Sequence, residues 1–214
     1  MISPFFRPVR RTFAGLACAV LLTGIAGCTS DTDQPAPEPP PRAATGTAPT
    51  IDAKPVPMEL TVSRVYGKLK KPRLVTLERK VARTVGAYFN DAHLGGTYPR
   101  SDFRASFATF SDGAAQQARG DLDLLTNARL GTSTVAVVPR KKKVRIAVFS
   151  PRKVAAGVTA RIRLVYLAER DEAADQLVTV SGRLLLTRLE SGRWQIFGYD
   201  VARTTRPAEK GASR

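Results

Sequence analysis

Cysteine and histidine are almost missing from this 214-residue chain. It has two cysteines, Cys18 and Cys28, and one histidine, His93. Two cysteines near the N-terminus cannot form the disulfide framework that staples many small exported domains, so the folded part depends on a packed core. One histidine without cysteines beside it leaves no ligand cluster for zinc. We therefore predict neither a metal nor a cofactor.

Acidic residues are also scarce, with 18 against 34 lysines and arginines, which gives a net charge of +16. All but four of the acidic residues and all but five of the basic ones lie from residue 58 onward, so that part carries a net +15. A domain of this charge attracts polyanions and repels copies of itself. Solubility and an arginine-rich genome would explain the same excess, so charge alone assigns no function.

No apolar run reaches the roughly 20 residues that a membrane-spanning helix needs. The longest, from about residue 13 to 26, follows three arginines without an acid, which is the layout of an export signal. Its end, Ile25-Ala26-Gly27-Cys28, resembles the lipobox of bacterial lipoproteins, in which the cysteine is lipidated and becomes the mature N-terminus. We therefore expect a signal peptide at residues 1–27 and a lipid anchor on Cys28 at the extracytoplasmic face of the cell membrane. An ordinary anchor helix or a signal peptide cut elsewhere is the alternative, and the pair Arg10-Arg11 leaves the general and twin-arginine export routes open.

The next segment, residues 28–57, is rich in proline and has few large apolar side chains. Because it cannot bury a core, we predict a disordered tether. Its length would reach roughly 90 Å as polyproline and average about 30 Å as a flexible coil. Both distances exceed the Debye length of about 8 Å, so the tethered domain can leave the electric field of the membrane. Residues 208–214 are predicted to be a disordered tail.

Residues 58–207 are long enough for one domain, and their first part has helical periodicity. Apolar residues recur every three or four positions from Pro72 to the Gly95-Gly96 pair, which predicts an amphipathic helix. Three phenylalanines between residues 103 and 110 indicate a short second helix. Ser111 or Asp112 can cap a third helix that runs to Arg119.

Beyond Gly131 the apolar residues alternate with a period of two, which predicts strands. A basic turn, Pro139–Lys143, is predicted to join the first two strands, and Glu190-Ser191-Gly192 is predicted to form a tight hairpin between the last two. Helices first and consecutive strands later predict an α+β fold, with N-terminal helices packed on one face of a curved antiparallel sheet. The predicted strands cover residues 134–138, 144–149, 158–168, 177–189 and 193–201, with a further extended segment at residues 58–65.

The long helix, the phenylalanine-rich segment and a sheet ending in Trp194–Val201 together resemble the NTF2-like (cystatin-like α+β) superfamily. The layout is more closely similar to uncharacterised lipoproteins and Mce-associated envelope proteins of high-GC Gram-positive bacteria. The similarity covers roughly residues 70–203, and Asp121–Asn127 and Trp194–Val201 are its sharpest motifs. It implies a cone formed by the helices and the concave face of the sheet. It implies no single function, because this fold hosts enzymes, transport adaptors and assembly subunits.

Six aromatic residues are candidates to line the cone that the resemblance implies, where a small apolar ligand could bind. The alternative is that they fill the core. The ionisable residues nearby are interpreted as helix-terminus, surface, capping or core residues, so no catalytic residue is assigned; these residues are His93, Asp121, Asp123, Tyr166 and Tyr199. The lining candidates are Tyr88, Phe89, Phe107, Phe110, Trp194 and Phe197.

Seven basic residues form the second candidate site. Strand alternation puts arginines of neighbouring strands on the solvent-facing side of the sheet, and the basic turn adds four more cations, although such a turn can be only a solvated loop. Like charges disfavour pairing of two such faces, so the face indicates an anionic partner: lipid headgroups, a wall polymer or an acidic envelope protein. The export signal and the lack of interleaved aromatics argue against nucleic acid. The anion-binding candidates are Arg161, Arg163, Arg183, Lys141, Lys142, Lys143 and Arg145.

From the sequence we therefore predict a non-enzymatic, lipid-anchored binding or accessory protein of the cell envelope. An NTF2-like enzyme or a carrier of a small apolar ligand is the alternative.

Overall fold

The computed structural model describes residues 55–208. The predicted signal peptide, Cys28, nearly all of the predicted tether and residues 209–214 lie outside the described residues. The described residues belong to one compact unit, Thr50–Arg214. None of the helices in residues 55–208 is long and apolar enough to cross a membrane.

The described part consists of one strand, then a helical segment, then four strands. The helices are α1 (Lys71–Phe89), which continues as a π-helical turn (Asn90–Leu94), a 3₁₀ turn (Arg104–Phe107), α2 (Asp112–Gly120), α3 (Leu122–Leu125) and α4 (Ala128–Gly131). The strands are β1 (Met58–Gly67), β2 (Thr134–Ser150), β3 (Gly157–Arg170), β4 (Gln176–Arg188) and β5 (Trp194–Pro207).

The five strands form one mixed sheet in the order β1-β2-β3-β4-β5. β1 is parallel to β2, and every other neighbouring pair is antiparallel. The prediction of an α+β fold is confirmed, whereas the prediction of an all-antiparallel sheet is wrong. The reason is the connection: β1 reaches β2 through the whole helical segment, and a long crossover of this kind joins parallel strands.

β2 is one continuous strand, so the predicted basic turn at Pro139–Lys143 is wrong. Lys141, Lys142 and Lys143 pair with β3 at Val165, Leu164 and Arg163. The ladder shifts register between Pro139 and Lys141, and β1 pairs with β2 only from Lys142 onward. Proline is tolerated at such a bulge on an edge, because no ladder hydrogen bond is lost there.

α1 begins and ends where the sequence indicates. Proline occupies its first turn, where a missing N–H removes no helical hydrogen bond. The π-helical turn extends it to Leu94, and Gly95 follows. α2 is capped by Ser111, whose hydroxyl accepts a hydrogen bond from the Ala114 backbone N–H at 3.4 Å. The predicted phenylalanine-rich helix is only the four-residue 3₁₀ turn.

The helices pack on one face of the sheet, which we call the inner face. Residues of α1 that recur at helical spacing, such as Leu77, Val81 and Val85, join one core cluster with alternate residues of the strands. In β3 the buried residues are even-numbered from Val158 to Tyr166. The odd-numbered residues between them, such as Arg161, point to the opposite, outer face.

Candidate functional site

Five basic side chains lie in two cross-strand rows in the middle of the outer face. In one row, Arg145 of β2 stands opposite Arg161 of β3, which stands opposite Arg183 of β4. In the other, Lys143 stands opposite Arg163. Side chains directly opposite each other start from Cβ atoms about 5 Å apart. We call these five residues the basic rows.

Within residues 55–208, the ion pairs of the basic rows come only from the two edge strands. Glu59 of β1 pairs with Lys143, with 3.5 Å between Oε2 and Nζ. Asp200 of β5 pairs with Arg183, whose Nε donates to Oδ2 at 3.1 Å. Both pairs are exposed to solvent, and such pairs contribute about 0.2–1 kcal/mol each.

The charges of three central arginines are not balanced by ion pairs of this kind in the described part of the chain. Arg145, Arg161 and Arg163 are exposed, and none of them forms an ion pair within residues 55–208. Like charges directly opposite each other on a sheet destabilise the pairing. The centre of the outer face is therefore a cationic surface whose charges the described part of the chain does not neutralise.

The structure divides the predicted basic cluster between the two faces of the sheet. Lys141 lies on the outer face opposite Val165, next to the basic rows. Lys142 lies opposite the buried Leu164 and is half-buried, so its side chain leaves β2 on the inner face. Successive residues of a strand point to opposite faces, so this lysine cannot join its neighbours in one anion site.

An aromatic cluster lies on the outer face beside the basic rows. Tyr66 of β1, Phe149 of β2 and Phe197 of β5 are 52%, 56% and 50% exposed. Together with Leu185 they line a shallow groove of about 160 Å³. Phe149 lies four residues beyond Arg145, a distance of about 13 Å along the strand. We call Tyr66, Phe149 and Phe197 the aromatic end.

The prediction that Phe197 lines a cone is wrong. In the ladder between β4 and β5, Ile196 pairs with Leu186 and Gly198 pairs with Leu185, which leaves Phe197 in a bulge without a partner. Its side chain reaches the outer groove. Tyr66 and Phe149 were not among the residues predicted from the sequence. For Phe149 the sequence does contain a signal, because it is out of phase with the inward-facing residues of β2 and is therefore expected on the outer face.

The other aromatic candidates lie on the inner side. Tyr88, Phe89, Phe107 and Phe110 are all buried in the core cluster. The centroids of the Tyr88 and Phe110 rings lie 5.3 Å apart, and those of Phe107 and Phe110 lie 5.2 Å apart, each pair edge-on. These four side chains fill the core. Trp194, which is 7% exposed, belongs to the same core cluster and also lines a separate groove.

The one histidine belongs to a buried polar cluster. His93 lies at the end of the π-helical turn with no exposed surface, so its interpretation as a surface residue is wrong. Its Nδ1 is 3.5 Å from the hydroxyl of Tyr166, which donates to Asn127 Oδ1 at 3.0 Å. Arg203 donates to the same Asn127 oxygen at 3.1 Å.

Burial decides the protonation of this cluster. Burial, and next the nearby Arg203 charge, lower the pKa of His93 to about 3, and burial raises the pKa of Tyr166. Both rings are therefore neutral at pH 7. Because neither ring has exposed surface, neither can reach a substrate in solution.

The acids near the helices lie where the sequence predicts, but Asp121 uses its side chain differently. Asp121 occupies the N-cap position of α3, although its side chain makes no capping hydrogen bond. Its Oδ2 instead accepts a hydrogen bond from the Tyr199 hydroxyl at 2.7 Å. Burial and this carboxylate raise the pKa of Tyr199 to about 12. Asp123 lies in the first turn of α3.

Within residues 55–208, no group of three or more histidine, cysteine, aspartate or glutamate side chains could hold a metal ion. Comparison with protein-family models, with curated proteins and with solved structures found no match for this chain.

Proposed function

We propose that this protein is a lipid-anchored accessory protein of the bacterial cell envelope whose outer sheet face binds an anionic membrane surface. One observation carries the proposal: Arg145, Arg161 and Arg163 stand together, exposed, and none of them forms an ion pair within residues 55–208. An exposed basic residue contributes about 1 kcal/mol of attraction at an anionic lipid surface. Headgroup phosphates between these side chains would also relieve their mutual repulsion.

The aromatic end favours a membrane as the binding partner over a wall polymer or an acidic protein. Tyr66, Phe149 and Phe197 each keep about half of their surface in water. At a bilayer this apolar surface can enter the boundary between headgroups and acyl chains, where aromatic side chains are favoured. A hydrated wall polymer offers no such boundary.

An NTF2-like arrangement of this domain is part of the proposal. The helices cover the inner face and leave the outer face of the sheet bare within the described residues, which supports that arrangement. The curvature and the cone that the resemblance implies would give the outer face a convex shape suited to a membrane.

The attraction between the outer face and the membrane is weak, and the proposed anchor on Cys28 would make it sufficient for binding. A tether converts binding to the membrane into an intramolecular event with a high effective concentration. If the anchor is correct, Cys28→Ser prevents attachment of radiolabelled fatty acid and moves the protein into the soluble fraction. A lipid-labelled Cys28→Ser protein would contradict the anchor and leave the role of the outer face open.

The proposed role is binding, without catalysis. Five of the six cone candidates belong to the buried core cluster, and the ring of His93 has no exposed surface. These observations support the binding role over an enzyme or carrier that uses the cone.

A sedimentation experiment separates the three anionic partners. The compact unit, residues 50–214, is mixed with phosphatidylglycerol vesicles, phosphatidylcholine vesicles, poly(glycerol phosphate) or polyglutamate. We expect it to bind the phosphatidylglycerol vesicles strongly and in a salt-sensitive manner, and to bind the phosphatidylcholine vesicles weakly. Equal affinity for lipid-free poly(glycerol phosphate) or polyglutamate would contradict a membrane and indicate a polymer or an acidic protein.

A further inference from the structure

A second groove, separate from the outer face, lies beside the first half of α1. It has a volume of about 470 Å³ and opens between α1, the turn from β2 to β3 and the turn from β4 to β5. Its walls are mainly apolar, with Leu77 of α1, Val154 of the first turn and Trp194 at the start of β5. We call it the α1 groove.

Basic side chains surround this apolar groove. Arg73, Lys80 and Arg188 line it, and none of the acidic residues that the structure describes does. Arg73 donates through Nη1 to the backbone oxygen of Lys153 at 3.0 Å, and Lys80 donates through Nζ to the oxygen of Gly192 at 3.0 Å. These bonds hold the two turns against α1, but they leave the positive charges unneutralised.

Two of these charges lie close together beside Gly192. A Cβ placed on Gly192 would lie 3.6 Å from Lys80 Nζ and 3.7 Å from Arg188 Nη2, so the two cations are at most about 7.3 Å apart. Neither Lys80 nor Arg188 forms an ion pair in the described part of the chain. Both line the apolar groove, and one anionic head group can contact two cations at this separation.

The groove therefore combines the features that an amphiphile requires. Its volume lies within the range of about 300–1,000 Å³ that is usual for small-molecule sites. An acyl chain would cover Val154, which is 41% exposed, and the small exposed parts of Leu77 and Trp194, and its head group would meet Lys80 and Arg188. A wholly apolar ligand would leave the two cations unused, and a small polar anion would leave the walls in water.

We propose that the α1 groove binds a single-chain amphiphile with an anionic head group, either a carboxylate or a phosphate. This site lies outside the outer face and does not depend on the proposed function. It would let the protein take up free fatty acids or lysophospholipid-like molecules.

Trp194 is the one tryptophan of the chain, so its fluorescence reports on the groove directly. Residues 50–214 are titrated with sodium laurate and with dodecyl phosphate below their micelle concentrations. We expect a saturable change of Trp194 emission with one or both ligands, whereas acetate, inorganic phosphate and laurate methyl ester should have little effect. The stronger of the two ligands identifies the head group, and no change with either would overturn the proposal.

Variants distinguish this site from general detergent binding. Lys80→Gln with Arg188→Gln should weaken binding of the amphiphile at least about tenfold, because two charge-assisted contacts are lost. Lys80→Arg keeps the positive charge and should retain binding of the amphiphile. Arg79→Gln with Arg83→Gln removes the same charge from exposed positions of α1 and is the matched control.

A third variant tests the apolar part of the groove. Val154→Asp places a carboxylate on an exposed position of the groove wall, where it should reduce binding without disturbing the core. Circular dichroism confirms that each variant is folded. Equal affinity of the Lys80/Arg188 variant and its Arg79/Arg83 control, or of Val154→Asp and the parent, would overturn the proposal.

Discussion

At the scale of the residue, the positive charge of the outer face depends on which of its cations have a neighbouring acid. Lys143 and Arg183 lie next to edge strands that supply Glu59 and Asp200. Arg161, in the central strand, has only basic residues opposite it on both sides. The sequence shows the charge run and the strand alternation, but it does not show which residues stand opposite each other, because register depends on the whole sheet.

Removing an edge acid should strengthen binding to an anionic surface. Asp200→Asn frees Arg183 and adds one positive charge to the row, so we expect a higher affinity for phosphatidylglycerol vesicles. Stability should change by no more than about 1 kcal/mol, because the pair is exposed. Glu190→Gln, which removes an exposed acid from the hairpin turn, is the control. An affinity for Asp200→Asn no higher than that of the control would argue against the basic rows.

The buried histidine predicts a pH dependence of stability. Its pKa is lowered from 6.5 to about 3 on folding, so between these pH values the unfolded chain binds a proton that the folded chain does not. Stability contributed by neutral His93 is therefore present above pH 6.5 and falls as the pH drops, by up to about 1.4 kcal/mol per pH unit. Urea denaturation from pH 7 to pH 4 should show this slope, reduced in His93→Gln. Identical slopes for the two proteins would contradict burial of the ring.

At the scale of the element, local signals predict the ends of helices and turns well. Pro72, the Gly95-Gly96 pair and the Ser111 cap mark helix boundaries correctly, because each acts on its own backbone. Long-range pairing is harder to predict. The lysine run of β2 has the composition of a turn, yet β1 and β3 supply its hydrogen-bond partners from distant parts of the chain. The parallel direction of β1 also depends on this tertiary contact.

Hydrogen exchange tests the continuity of β2. Lys142 and Lys143 pair with β1 on one side and with β3 on the other, so their backbone amides should exchange slowly. The amides of Arg152 and Lys153, in the turn after β2, provide a fast-exchanging reference. If the backbone amides of Lys142 and Lys143 exchanged as fast as this reference, a continuous β2 would be contradicted and the turn predicted from the sequence would be supported.

At the scale of the whole molecule, the charge is distributed in a way that suits a tethered domain. Residues from 58 onward carry nearly all of the positive excess, while the segment between Cys28 and residue 57 has more acids than bases. With the proposed anchor and tether, the domain would move away from the membrane and return to it through the outer face. The combined cationic and aromatic surface would then set how it lies on the bilayer.

The salt-dependent partitioning of residues 50–214 onto phosphatidylglycerol vesicles tests the central claim most directly. Arg161→Ser, Arg163→Ser and Arg183→Ser together should lower the partition coefficient at least about tenfold and flatten its salt dependence. Arg79→Gln, Arg83→Gln and Arg119→Gln together remove the same charge from exposed helix positions and should retain most of the binding. Equal losses in the two triple variants, or no loss in the first, would contradict binding through the outer face.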